Sequence, residues 1–364
     1  MGDREKKSPA RTLSPEKAHT SLSKRSLGVQ GQPEPELLAH TKTTVNLYGF
    51  IDLLSGFYQD IQSSKQELPE ETIELISRTL QFARLRLQGA NEDDSIQSHV
   101  VALTNLSKVI GSAHPVALFG IATFAIFEVC CGPFGKWQRH LHGARSLLDL
   151  HCQTKAELDS LTQRIPGIAD VLGYLVWFDV TGTLNRGDQA LIFDDWHREI
   201  LSPEFFNSVG CPPDSFDLFV HLAKGGTDLE PIDLSSRAMA QILHLSTNDS
   251  TDRGLACIVF RGSAAIEAFA RVGENSLSPT PSTYANVISL MVDKVCDAIA
   301  SIPTSSRFYV HLATPAYLTG MYATRSPQCE VVRAYWQNCQ MCDFPRYPDG
   351  QELCEQKWRS EGII

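Results

Sequence analysis

From Leu37 onward the apolar residues of this chain return every three or four positions, and stretches that alternate apolar with polar between hairpin turns are almost absent. No other feature restricts the fold as much, because a 3.6-residue period buries a stripe along a helix and cannot bury one face of a strand. In "ETIELISRTLQFARLRL" (Glu71–Leu87), Ile73, Ile76, Leu80, Ala83 and Leu87 fall at helical spacing, with Pro69 just ahead. The acidic run Asn91-Glu92-Asp93-Asp94 reads as a turn before a helix over Ile96–Ile110. Pro115 opens the most apolar stretch of the chain, which stops at Cys131-Gly132-Pro133. Further helices are predicted at about 134–152, 155–164, 166–184, 213–225, 233–246, 254–275, 282–302, 307–322, 326–341 and 350–360. The expected fold is all-α: an irregular array of ten or more helices without substantial β-sheet. Loops should be short except near 185–212 and 246–254. No internal repeat at a fixed period is present.

The 364 residues suffice for one large domain or two small ones, and 43% hydrophobic with 20% charged residues is the composition of a packed chain. Residues 1–36, rich in Ser, Pro, Lys and Gln, have no period that would bury a face and are expected to form a flexible basic arm. Residues 37–364 are then the helical domain. Residues 1–30 hold seven Lys or Arg against three acidic residues, so with a total charge of −10 the rest of the chain stands at −14. Such a chain is poorly suited to grip nucleic-acid phosphates by itself. The N-terminus has no apolar signal region, and Lys6 occupies the place where a myristoylation motif needs Ser or Thr. Val116–Cys131 is too short for a membrane span and contains Glu128. Ten cysteines without an export signal imply reduced thiols in the cytosol or nucleus.

Few segments look chemically loaded. "GPFGKWQRHLHGARSLLDLH" (Gly132–His151) collects three histidines, but Trp137, Leu141, Ala144, Leu148 and His151 share one helix face, which is the pattern of packing. His140 and His142 stand two apart, point to different sides and cannot ligate one metal from a helix. Gly143, costly in a helix, is expected to permit a close helix contact. Cys329, Cys339, Cys342 and Cys354 have spacings a zinc site could use, yet Cys329 and Cys339 sit on a predicted helix with Val332 and Trp336, so burial is the simpler reading. Asp179 interrupts an apolar helix and must be paired if buried; Arg186 is the nearest partner in sequence. Ser112 and His114 lack a nucleophile elbow. "RGSAAIEAF" (Arg261–Phe269) reads as a helix start able to hold an anion, though without the strand of a P-loop. The Arg-Gly-Asp at 186–188 and the sequons at Asn105 and Asn248 have no role in a chain that is not exported. No catalytic, cofactor-binding or metal-binding residue is assigned.

The same segment also bears a resemblance. "FAIFEVCCGPFGKWQRHLHGARSLLDLH" resembles the signature of the fungal-specific transcription factor domain, the helical region that follows the DNA-binding module in zinc binuclear cluster regulators. Its positions are Trp137, His140, Leu141, Gly143, Ala144, Arg145 and Leu147. "VLGYLVWFDVTGTLNRG" is similar to a second family segment through Phe178, Asp179, Val180, Thr181, Thr183, Arg186 and Gly187. "VGCPPDSFDLFVHLAKGGTDL" and "VDKVCDAIASIPTSSRFYVHLATPAYLTGMYA" resemble later ones, so the likeness spans about 100–360. Residues 1–129 contain no cysteine, so the six-cysteine zinc cluster of the family is missing here.

The resemblance implies a nuclear, non-enzymatic transcription regulator that works through protein contacts or an effector and reaches DNA only indirectly. Its partners would be a zinc-cluster regulator or the transcription machinery, a small-molecule effector, or a second copy of itself, with no membrane and no cofactor. Two alternatives stay open. The chain can be the C-terminal portion of a longer regulator whose zinc cluster is encoded upstream. Or it can be a helical enzyme of secondary metabolism, for which Asn91–Asp94 is the only approach to an acidic metal motif.

Overall fold

The computed structural model describes residues 55, 56, 59, 69–87, 92–131, 137–186, 190–225, 230–246, 249–275, 281–341 and 350–364. Among them are fifteen α-helices and no strand: α1 (Glu70–Leu87), α2 (Glu92–Gly111), α3 (Ala117–Cys131), α4 (Gln138–Leu148), α5 (Lys155–Arg164), α6 (Ile168–Arg186), α7 (Asp195–Arg198), α8 (Pro203–Val209), α9 (Pro213–Ala223), α10 (Pro231–Leu243), α11 (Asp252–Asn275), α12 (Pro281–Ser301), α13 (Ala313–Met321), α14 (Ser326–Met341) and α15 (Gly350–Ser360). Two 3₁₀ turns, His244–Ser246 and Tyr309–Leu312, join them. The all-α array read from periodicity is therefore the fold. The basic arm, residues 1–36, lies outside the described residues.

Two helices form the centre. Every residue from Val116 to Ile126 is buried, and α6 is buried from Val171 to Asn185 except at Tyr174. A helix apolar on all sides belongs inside a larger protein, with amphipathic helices around it. Here α1 and α4 pack on α3, while α4, α9 and α13 pack on α6. Several buried polar groups of these helices have partners: the Thr123 hydroxyl donates to the Phe119 carbonyl (2.8 Å) and Thr181 to Trp177 (2.8 Å) within their helices, and the Asn185 amide reaches the Thr314 hydroxyl of α13 (3.0 Å).

In the C-terminal half, α11 lies between α10 and α12 and also touches α9 and α13. Its crossing with α12 is made possible by a glycine. A Cβ on Gly262 would stand 2.3 Å from a Val295 methyl. The last helix, α15, clamps α13: Trp358 Nε1 donates to the Gly320 carbonyl at 2.7 Å, and a Cβ on Gly320 would stand 2.7 Å from the Cys354 sulfur.

Three sequence expectations are corrected. The region 185–212 is not one long loop, because α7 and α8 fold within it. Ser202 accepts from the Phe205 N–H (3.2 Å), Pro203 opens α8 and Gly210 closes it at φ 76°, where a Cβ would also stand 2.7 Å from the Phe308 ring. Glu92, Asp93 and Asp94 do not form a turn; they begin α2, where the Asp93 and Asp94 carboxylates favour the helix dipole. Arg261–Phe269 lies in the middle of α11, whose backbone N–H groups are committed to the helix, so no anion-binding N-terminus exists there.

Candidate functional site

Two of the stretches that bear the resemblance, on α4 and α6, meet at the segment 190–198 between α6 and α8. Segment 190–194 is irregular, so its backbone groups need partners from elsewhere. Asp179, on α6, is buried and receives the Ile192 N–H on both carboxylate oxygens (3.0 Å each) and the Phe193 N–H at 2.9 Å. Arg145, in the last turn of α4, donates to the Ile192 carbonyl (3.2 Å) and pairs with Asp149 and Asp194, each at 2.8 Å. Arg198 donates to the Phe193 carbonyl. The His197 Nδ1 accepts the Asp194 N–H at 3.1 Å. Three consecutive residues thus have their backbone held by side chains from α4, α6 and α7.

The charges respond to this packing. Burial pushes the Asp179 carboxyl up to about 6, against the opposite pull of the Phe193 and Ile192 N–H groups and of the Arg198 charge. Burial moves His197 the other way, down to about 4, helped by the Arg145 guanidinium. That ring is neutral at pH 7 and lies between Phe193 and Trp196, stacked on the latter at 3.5 Å between centroids. Arg145 holds Asp194 below the ordinary carboxylate range, and Lys224 with Arg198 brings Asp195 to about 2. The result is a clamp of alternating charge around a fixed segment.

Asp179 is therefore paired, but not with Arg186. The Arg186 guanidinium instead donates to Gln138 Oε1 at 2.9 Å, which ties the end of α6 to the start of α4. Just beside this contact, Gly182 faces Trp137, and a Cβ there would stand 2.9 Å from the indole. The glycine that permits a close approach is thus Gly182. Gly143, expected to do so, is exposed and has nothing within 4 Å of its Cβ position. Trp137, Leu141, Ala144 and Leu148 are buried as expected, joined by Leu147. The helix ends at Leu148, and His151 beyond it pairs with the Ala113 carbonyl at 2.6 Å. His140 meets Glu128 at 2.9 Å and His142 is exposed. Gly132–Lys136 and Gly187 lie outside the described residues.

The other candidates also take structural places. Ser112 and His114 shape the turn before α3: the Ser112 hydroxyl donates to the Val109 carbonyl (2.8 Å), and His114 Nδ1 accepts the Val116 N–H (3.2 Å). Cys329, Cys339 and Cys354 are buried, and burial pushes the Cys354 thiol up to about 12. A thiol held protonated is a poor nucleophile and a poor metal ligand. Cys342 lies outside the described residues. Arg261 pairs with Asp214 at 2.6 Å and with Gln241 at 2.9 Å. Asn105 is buried, its amide donating to the Val101 carbonyl at 3.1 Å. Among the described residues no group of three or more His, Cys, Asp or Glu is arranged to hold a metal ion, and no helix is long and apolar enough to cross a membrane.

Sequence reasoning missed the segment 190–198 itself. Asp194, Trp196 and His197 carry no motif, and the only signal was indirect: an acid inside an apolar helix needs donors, and an irregular segment nearby has them to give. Comparison with protein families, with characterised proteins and with solved structures found no match for this chain.

Proposed function

We propose that this chain is a non-enzymatic transcription regulator built on a helical domain of the fungal-specific transcription factor type, nuclear and acting through protein contacts. One observation supports the reading above the others. Arg145 and Asp179, some thirty residues apart in two of the stretches that bear the resemblance, serve one joint on Ile192–Phe193, and Arg186 of the second stretch ties the end of α6 to Gln138 at the start of α4. Arg145 and Asp179 spend their hydrogen bonds on the same backbone segment, Ile192–Phe193, rather than converging on an open reactive centre. A signature that encodes a joint is what a regulatory scaffold needs, since its output is surface shape.

The test has two arms. The purified chain alone should give no sequence-selective shift of duplex DNA, and capture from nuclear extract should return a zinc-cluster regulator bound to it. A tight, selective shift by the chain alone would sink the indirect mode of action. Turnover of a substrate that stops on a single interior substitution would sink the regulator itself.

A further inference from the structure

The turn that joins α2 to α3 is strained, and two histidines hold it in opposite ways. Among the described residues Ala113 alone of the non-glycine residues stands at positive φ, 55°. A Cβ there crowds the following carbonyl, so the place normally belongs to glycine. Gly111 comes two residues too early to fill it. Such a conformation persists only where its surroundings impose it. On the α2 side the Ala113 N–H donates to the Ile110 carbonyl at 2.8 Å. On the other side His151, in the turn after α4, meets the Ala113 carbonyl through Nε2 at 2.6 Å. A carbonyl only accepts, so this ring nitrogen carries a hydrogen. His114 does the reverse: its Nδ1 accepts the N–H of the buried Val116 at 3.2 Å, a donor at the start of α3.

We propose that Ser112–Val116 is a proton-operated latch between α2 and α3: a proton on His114 Nδ1 removes the acceptor of the Val116 N–H, and the strained turn at Ala113 opens. The two imidazoles answer acid differently. A ring nitrogen that donates does so whether the ring is neutral or charged, so the His151 contact survives protonation. A ring nitrogen that accepts must be bare; once protonated, His114 Nδ1 turns a hydrogen towards the Val116 N–H. Burial and the positive charge of His151 both hold the His114 pKa below 6.5. The open turn therefore takes up the proton more readily than the closed one, and the closed turn loses ground as pH falls from 6.5. Nearby charges do not offset this. Ala117–Ile126 of α3 holds no charged side chain, and the last turn of α2 adds Lys108, of the same sign. Beyond α4, Asp149 is paired with Arg145 at 2.8 Å, and Glu157 of α5 accepts the Gln153 N–H at 2.6 Å. Among the described residues His151 is the group whose charge reaches His114. The opening is local, so His114 takes its proton without the rest of the fold giving way and weighs little on global unfolding.

Hydrogen–deuterium exchange of the full chain between about pH 7.5 and 5 tests the latch, read by mass spectrometry and corrected for the pH dependence of intrinsic exchange. Protection of peptides covering Ala113–Leu118 should fall below pH 6.5, by at most about tenfold per pH unit. Protection of the buried stretch Val259–Ala268 in α11 should stay constant. His114→Asn supplies a side-chain oxygen that accepts an N–H two residues on and does not titrate, so the turn should stay protected across the whole range. Ala113→Gly relieves the strain and should reduce the opening in acid by about fivefold or more. Protection of the parent turn that is flat with pH, or a His114→Asn turn that still opens in acid, overturns the latch. An Ala113→Gly turn that opens as readily as the parent overturns the part assigned to strain.

Discussion

The joint around Ile192–Phe193 and the crossing of α11 with α12 hold helices together in opposite ways. At the joint, two charged side chains from different helices grip an irregular backbone, and Asp179 is buried in the process. At the crossing, Gly262 lets α11 approach Val295, and Ala265 and Ile266 of α11 and Val292 of α12 are fully buried. The polar joint gains direction at a cost in desolvation, since each buried donor must have its acceptor. The apolar crossing gains contact area and has no tolerance for added volume. Substitutions should therefore fail differently in the two places.

The largest effect belongs to Asp179→Ala. It leaves the Ile192 and Phe193 N–H groups buried without their acceptor, at about 1–3 kcal/mol each, so a loss of about 4 kcal/mol in urea unfolding is expected. A loss below about 1 kcal/mol would mean that the segment opens to water and that the clamp is not a joint.

Acidity sharpens the same contrast, because the two buried groups of the joint work against each other. Asp179 titrates near 6 in the fold against 3.8 in the unfolded chain. The folded state thus binds the proton more tightly, and this group lowers stability as pH rises from about 4 to 6, by about 3 kcal/mol in full. His197 titrates near 4 in the fold against 6.5 unfolded. There the unfolded state takes up the proton first, so stability is lost as pH falls from 6.5 towards 4. The wild-type profile should be nearly flat across this window. Asp179→Asn should reveal a stability that climbs with pH, and His197→Asn, which keeps an acceptor for the Asp194 N–H, one that declines. Parallel profiles for both variants would show that the two groups do not oppose each other.

At the apolar crossing Gly262→Ala should cost about 1–3 kcal/mol through overpacking, with no pH dependence between 4 and 6.5. Thermal unfolding at two pH values is enough to see whether a purely steric lesion stays separate from the charged one.

Much of the fold was legible in the sequence because long helices advertise themselves. Glu71–Leu87 and Ser326–Met341 carry enough periods of the pattern for their ends to be placed within a residue or two. The four-residue α7 and seven-residue α8 are too short for a period and are betrayed only by Asp194, Ser202 and Pro203 at their starts. The joint was half legible. An acid in "VLGYLVWFDV" announces that donors must be near, but the donors are main-chain groups of Ile192 and Phe193, which have no letter of their own. Sequence distance favoured Arg186, whose guanidinium is occupied by Gln138.

Glycine gives the smallest effect and the one of opposite sign. Gly143, Gly182 and Gly262 all sit inside helices and look alike in sequence, yet only the last two are pressed against a neighbour. Gly143 is exposed with open space at its Cβ position, so it contributes only the entropic cost of glycine in a helix. Gly143→Ala should therefore stabilise the protein by about 0.5–1 kcal/mol, while Gly182→Ala, driven into the Trp137 indole, should destabilise it. If Gly143→Ala also destabilises, a surface covers α4 in solution, and the outer face of that helix is the place to look for a partner.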